Sequence, residues 1–425
     1  MSGALLTDHY ELTMLQAALR SGAASRRCVF EVFARQLPGG RRYGVVAGTA
    51  RVLDALEHFR FGEDELAFLA AHRVVDAPTL DFLAGYRFRG RVDGYPEGEC
   101  YFPGSPIMTV EGTFAEAVLL ETLILSVLNH DCAIACAASR MVQAAGSRPL
   151  IEMGSRRTHE LSAVAAARAA YLCGFASTSN LMAGRVYGVP TAGTAAHAFT
   201  LLHDSEEQAF AAQLASLGAG TTLLVDTYDV AQAVRTAVEL AGPELGAVRI
   251  DSGDLAEAAR DVRAQLDALG AQRTRIVVTG DLDEYSIAAL AAAPVDGYGV
   301  GTSLVTGSGA PTAALVYKLV ARESASGVLE PVAKRSVGKP SRGGRKEAFR
   351  RLDDSGTAVA ELVTVAREQP PGTRPLQVPL VRDGEVVWKE GLEESRARHR
   401  AAFAELPVTA HQLSRGDAAI PTVFG

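Results

Sequence analysis

The chain is poor in cysteine and tryptophan, and its apolar runs are short. Its 425 residues hold five cysteines and a single tryptophan. Cys28, Cys100, Cys132, Cys136 and Cys173 are odd in number and scattered, which argues against a disulfide framework. Cys132 and Cys136 lie four apart on an expected helix, either as two small buried residues or as half of a metal pair. No second Cys/His pair at zinc spacing completes such a site. The opening residues, MSGALLTDHYELTML, lack a basic stretch and carry Asp8 and Glu11, unlike a secretory signal. The most apolar segment, 114–138, is interrupted by Glu116, Glu121, Asn129, His130 and Asp131 and reads as a buried helix, not a membrane span. Positive charge is in the minority, with a net charge of −7. That disfavours a general nucleic-acid or anionic-membrane binder. A cytoplasmic protein is the expectation.

What is present is an ordinary globular balance, 48% apolar and 21% charged, so disorder is excluded. The length suits two or three domains, or one barrel with additions. A helix is expected before residue 25, capped by Thr7 or Asp8, then a strand at 28–34 and helical periodicity over 41–82. Gly- and Pro-rich texture at 88–110 predicts antiparallel strands, and 114–146 returns to helix.

The middle of the chain alternates. Short apolar runs at 149–154, 189–193, 221–226, 247–251, 274–280 and 295–301 end in Gly, Asp or Ser. Helix-like stretches at 160–173, 205–218, 229–241, 254–269 and 283–293 lie between them. All-apolar strands alternating with helices imply a parallel sheet buried on both faces, as a complete or partial β/α barrel or an open doubly wound sheet. Strand texture returns at 313–320, 329–335 and 358–364. Prolines mark 370–379 as a linker or wrapping segment, and a charged helix is expected at 391–405. The expected fold is α/β: an irregular or incomplete β/α barrel at 147–311, and a second strand-rich α+β domain built from 1–146 and 312–425.

Both architectures put chemistry at the strand ends. Gly299-Val300-Gly301-Thr302-Ser303 and Gly280-Asp281 are candidate anion cradles, or ordinary turns. Arg249 and Asp251 share a strand face, as a structural ion pair or as functional groups. Arg156 and Arg157 suit phosphate or carboxylate, or form a solvated pair. His197 follows a glycine turn beside Thr194, as a structural or a reactive histidine. The basic loop 334–346, with Lys334, Lys339, Arg345 and Lys346, could fold over a polyphosphate or remain solvated.

Taken in order, these segments resemble the nicotinate phosphoribosyltransferases. The opening Leu6 to Met14 (LTDHYELTM) is similar to that family's TDxYxxTM. Glu152 to Arg157 resembles ExGxRR, and Gly174 to Asn180 resembles GGFxSTSN. Gly193 to Phe199 matches GTxAHxF. Asp226 to Asp229, RIDSGD at 249–254, Gly280 to Glu284, Gly299 to Thr302 and LQVPLVRDG at 376–384 follow in the family's order. The chain departs from the pattern at Arg342-Gly343-Gly344, where a Pro-Gly is usual, and at Cys173 and Ala176.

The resemblance implies an irregular barrel enzyme, usually a homodimer with shared sites. Such an enzyme joins nicotinate to phosphoribosyl pyrophosphate, giving nicotinate mononucleotide and pyrophosphate in NAD salvage. ATP would be the co-substrate, coupled through phosphorylation of His197, and Mg²⁺ would accompany the pyrophosphate through ligands the sequence does not specify. By the same resemblance Arg156, Arg157 and Arg249 hold carboxylate and phosphates, and Asp251 meets ribose hydroxyls or Mg²⁺ waters. Gly280, Gly301 and Thr302 cradle the 5′-phosphate. Asp226, Asp281, Ser179, Asn180 and Thr194 line the substrate site, and Tyr10 stacks on the pyridine ring. The rivals are nicotinamide phosphoribosyltransferase, disfavoured by hydrogen-bond donors at Ser179 and Asn180, the shorter quinolinate enzymes, and a non-catalytic metabolite-binding protein on the same fold.

Overall fold

The computed structural model describes residues 3–334, 341–365 and 368–425. The chain divides into two compact units. One joins Met1–Cys136 to Ala310–Gly425, and the other is Ala137–Gly309. The division falls inside the helix Glu121–Ala145, not after it at 146 as the texture implied.

The central unit holds six parallel strands: β1 (Leu150–Glu152), β2 (Ser177–Thr178), β3 (Thr222–Leu224), β4 (Ala247–Ile250), β5 (Arg275–Val278) and β6 (Gly297–Val300). Their order is β2-β1-β6-β5-β4-β3. Strands β2 and β3 stand at opposite ends of that order, so hydrogen bonding does not close the barrel. Leu223, Val248, Ile250, Ile276, Val278 and Val300 are fully buried, as apolar parallel strands require. Helices fill the intervals, and the sequence sets where they start. Ser205, Asp229, Asp254 and Asp283 each accept a backbone N–H from the first turn of the helix they precede.

One expected strand is not formed. Residues 189–193 contain Pro190, which has no N–H to give a ladder. The segment makes a single bridge, Thr178 to Thr191. Its partner is the two-residue strand β2, which the sequence does not reveal.

The strand-rich unit carries a seven-stranded antiparallel sheet in the order Leu329–Pro331, Leu315–Glu323, Arg27–Ala34, Met108–Thr113, Arg91–Gly94, Val378–Arg382, Glu385–Val386. Both flanks of the barrel therefore contribute to one sheet. A four-stranded sheet combines Thr373–Pro375, Glu347–Leu352, Ala358–Thr364 and Thr422–Phe424, so part of the proline-marked segment is a strand. The span 41–82 breaks into helices at Thr49–His58, Glu63–Ala71 and Ala77–Ala84, the last capped by Asp76 with a proline in its first turn. Residues 114–145 are apolar and long enough to cross a membrane, but 56% of the most apolar window is buried within the protein. Leu119, Leu120, Ile124, Leu128 and Cys132 belong to the strand-rich unit's core.

Candidate active site

The carboxyl ends of the six parallel strands form one rim in the central unit, and most of the polar residues singled out above lie on it. Asp226 follows β3, and its side chain is 3% exposed. His197 begins the helix His197–Leu202 and is 41% exposed. Its Nε2 lies 3.1 Å from Asp226 Oδ1. The other oxygen, Asp226 Oδ2, accepts the Asp251 backbone N–H at 3.0 Å and the Ser252 hydroxyl at 2.7 Å. Asp226 thus orients the imidazole and the end of β4 together.

Arg249 and Asp251 share a face of β4, as alternation requires. Arg249 Nη2 donates to Asp251 Oδ1 at 2.9 Å and Nη1 to the Thr194 hydroxyl at 3.2 Å. Its Nε donates to the Thr279 hydroxyl at 2.8 Å, and Thr279 donates in turn to Asp251 Oδ1. Burial works against the Asp251 charge. The Thr279 and Arg249 hydrogen bonds and the nearby Arg249 and His197 charges outweigh it and hold the carboxyl below its ordinary range.

On the neighbouring strands, Glu152 is fully buried and accepts from the Gly154 N–H and the Thr178 hydroxyl. Burial pushes its carboxyl up. This tie fixes the turn that carries Arg156 and Arg157. Both arginines are exposed, and their side chains have no protein partner among the described residues. A methyl placed on Gly301 would come 4.0 Å from Arg157 Cγ, so the β6 end and the second arginine adjoin. Thr302 is exposed beside it. Gly280 holds a φ of +109°, and a side chain there would strike the Asp251 carbonyl at 2.6 Å, so only glycine fits. Asp281 follows, exposed. Asn180 donates to Ser155 at 3.0 Å and caps the helix Leu181–Tyr187 through Ala183 N at 2.9 Å. Ser179 is exposed. Asn180 is therefore largely committed to local structure, and Ser179 is free to meet a ligand.

Sequence reasoning missed Thr279, Ser252 and Thr178 as members of these networks. Register would have found Thr279. Val277 pairs with Arg249 across β5 and β4, which puts Thr279 level with Asp251 on the same face.

Comparison with known proteins agrees along the whole chain. Residues 5–129 match the model of the nicotinate phosphoribosyltransferase (NAPRTase) N-terminal domain. A nicotinate phosphoribosyltransferase of Mycobacterium tuberculosis (strain CDC 1551 / Oshkosh) is 60% identical over 98% of this chain and 94% of its own. The chain belongs to the nicotinate phosphoribosyltransferase family. Another nicotinate phosphoribosyltransferase, from Bacillus subtilis (strain 168), is 35% identical over 83% of this chain and 74% of its own. The crystal structure of human nicotinic acid phosphoribosyltransferase superposes with a TM-score of 0.86 at 27% identity, covering 99% of this chain and 97% of that one.

In this nicotinate phosphoribosyltransferase family member the remaining candidates lie in the strand-rich unit. Tyr10, in the helix His9–Ser21, is 44% exposed. Partial burial and the charges of Glu121, Glu11 and Asp8 push its hydroxyl up to about 12. Lys334 is exposed, and Lys339 lies outside the described residues. Arg345 and Lys346 differ from the expectation of free loop cations. Arg345 is held by Asp93 at 3.0 Å and Glu347 at 3.1 Å. Lys346 is 5% exposed, donates to the Arg342 and Gly344 carbonyls and sits 3.1 Å from Glu31. Glu31 is pushed up by burial to about 7 against the pull of Lys346. Both line a cavity of about 570 Å³ with Arg35, Ser341, Arg342 and Phe424. Arg342 stacks over the Phe424 ring at 3.9 Å.

Proposed function

We propose that the protein transfers phosphoribosyl from phosphoribosyl pyrophosphate to nicotinate, with ATP hydrolysis coupled through a phosphorylated His197. The pyridine nitrogen forms a bond to the anomeric carbon. The bond from that carbon to pyrophosphate breaks, and pyrophosphate leaves with the electron pair. The reaction needs positive charge at the leaving group more than it needs a base. Arg249 is fixed in place for that task, and Arg156 and Arg157, exposed and without a partner among the described residues, add positive charge for carboxylate or phosphate. Asp251 keeps its carboxylate ionised, in position to accept from ribose hydroxyls. Gly280, Gly301 and Thr302 are assigned to the 5′-phosphate end.

The observation that carries the ATP coupling is the His197–Asp226 pair on the same rim as Arg249 and Asp251. With Nε2–H donated to Asp226, the lone pair is on Nδ1. Nδ1 attacks the γ-phosphorus of ATP, the bond to the bridging oxygen breaks, and ADP departs. Asp226 stabilises the imidazolium character that develops on the ring.

Magnesium fits as a companion of pyrophosphate. Among the described residues no cluster of three His, Cys, Asp or Glu side chains is arranged to hold a metal. Mg²⁺ bound mainly by phosphate oxygens and water needs no such cluster. It would neutralise charge on the leaving group, with Asp281 and Asp251 near enough to the rim to meet its waters. We assign Lys334 to ATP or pyrophosphate, whereas Lys346 is already committed to the Arg342 and Gly344 carbonyls and to Glu31. Our reading includes a homodimer, checked by mass in solution, and a cytoplasmic setting, which the five free thiols suit.

The test is synthesis of mononucleotide from phosphoribosyl pyrophosphate, Mg²⁺ and either nicotinate or nicotinamide, with and without ATP. Product from nicotinate, increased by ATP, is expected. His197→Ala is expected to abolish the ATP effect while some ATP-independent synthesis remains; coupling that survives the substitution refutes the phosphohistidine. Product only from nicotinamide would reassign the base.

A further inference from the structure

We propose that Thr279 is a positioning residue for phosphoribosyl transfer: its hydroxyl ties Arg249 to Asp251 and leaves Asp251 Oδ2 as the one oxygen presented to the ligand. The inference rests on the reading above for what the ligand is, but its geometry stands independently.

Thr279 directly follows β5 and is 3% exposed. A hydroxyl has one proton, so its bonds are directional. Arg249 Nε–H can only donate, and it points at the Thr279 oxygen at 2.8 Å. The Thr279 proton must therefore go elsewhere, and it goes to Asp251 Oδ1. Arg249 Nη2 donates to that same oxygen at 2.9 Å. Oδ1 is thus occupied by two donors, while Oδ2 has no protein partner among the described residues. Without the threonine hydroxyl, Asp251 could turn and present either oxygen, and Arg249 Nε would lose its partner.

The rotamer is set by the other branch of the side chain. A methyl built on Gly299 would lie 2.5 Å from Thr279 Cγ2 and 2.7 Å from Met153 Sδ. The γ-methyl therefore occupies the space that a β6 glycine leaves open. With the methyl held there, the hydroxyl can point only toward Arg249 and Asp251. This gives the Gly299 position a role apart from any anion cradle.

The experiment compares the wild type with Thr279→Val, which keeps the shape and the methyl, and Thr279→Ser, which keeps only the hydroxyl. If the hydroxyl positions the pair, Val lowers kcat/KM for phosphoribosyl pyrophosphate by about 10- to 100-fold, in line with lost hydrogen bonds to charged groups, and Ser stays within about threefold. A packing role predicts the reverse order. Val that retains activity, or Ser that loses as much as Val, overturns the proposal. If Val does not fold, Thr279→Ala removes the hydroxyl without adding bulk. Ala that loses activity where Ser keeps it supports the inference, and Ala that stays as active as Ser overturns it. Wild-type turnover tests the functional reading separately. Should the wild type make no mononucleotide, calorimetric affinity for phosphoribosyl pyrophosphate across the same variants is expected to show the same order, and a different order overturns the proposal.

Discussion

The two units use arginine in opposite ways. In the strand-rich unit Arg350, Arg374 and Arg345 are each paired with carboxylates of the protein itself. Arg350 is fully buried, donates to the Cys100 carbonyl at 2.8 Å and pairs with buried Glu361 at 3.1 Å. Arg374 spans Glu99 and Glu405 at 2.8 and 2.6 Å. Arg345 is held by Asp93 and Glu347. On the rim of the central unit Arg156 and Arg157 have no protein partner among the described residues, and Arg249 is held by Thr279, Thr194 and Asp251, groups of the candidate site itself. An arginine paired with structural carboxylates holds chain segments together, whereas one without such a partner has binding capacity left for a ligand.

Four substitutions probe that contrast. The largest effect is expected from Arg350→Met, which strands Glu361 and should cost about 3–5 kcal/mol of stability. Trp388, the single tryptophan, is 8% exposed in that unit, so its fluorescence in a denaturant titration reads the loss directly. Turnover per folded molecule should hardly change. Arg249→Ala should do the reverse, lowering kcat about 10²- to 10³-fold with the unfolding midpoint little moved. A large stability loss there would mean the arginine is structural after all. Arg156→Ala should raise KM roughly tenfold, about 1.4 kcal/mol, with no change in melting.

The last effect concerns acid. His399 is buried in the strand-rich unit, and burial lowers its pKa from 6.5 to about 4. The unfolded chain therefore takes up this proton first as pH falls. The contribution of His399 is fully present above pH 6.5 and declines toward pH 4. His399→Gln should flatten that part of the pH dependence of the Trp388 transition.

The contrast also explains what was legible in the sequence. The barrel strands show themselves because parallel strands buried on both faces read as unbroken apolar runs, and Asp229, Asp254 and Asp283 mark the helix starts. The rim residues follow, since they stand where those runs stop. The pairing of Arg345 is not legible, because its identity gives no hint of its partner, Asp93, which is 252 positions away in sequence. Thr178 was missed because a two-residue strand has no period to detect. The segment at 189–193 looked like a strand because it is apolar, but Pro190 removes a ladder donor. Thr279 needed strand register, which no single segment carries.

The seven-stranded sheet has a consequence for how the chain is made. Arg27–Ala34 can pair with Met108–Thr113 early, but its other neighbour is Leu315–Glu323, with Ala34 opposite Leu315. At ~5–20 residues per second, the roughly 280 residues between them take about 15–60 s to leave a ribosome. Throughout that interval the first strand has one open hydrogen-bonding edge and an apolar face without its full cover. The β/α unit, whose strands all lie within Ala137–Gly309, can complete itself during the delay. The nascent chain thus finishes its middle before its beginning, and the early strands must be kept from pairing with other molecules until the C-terminal segment emerges.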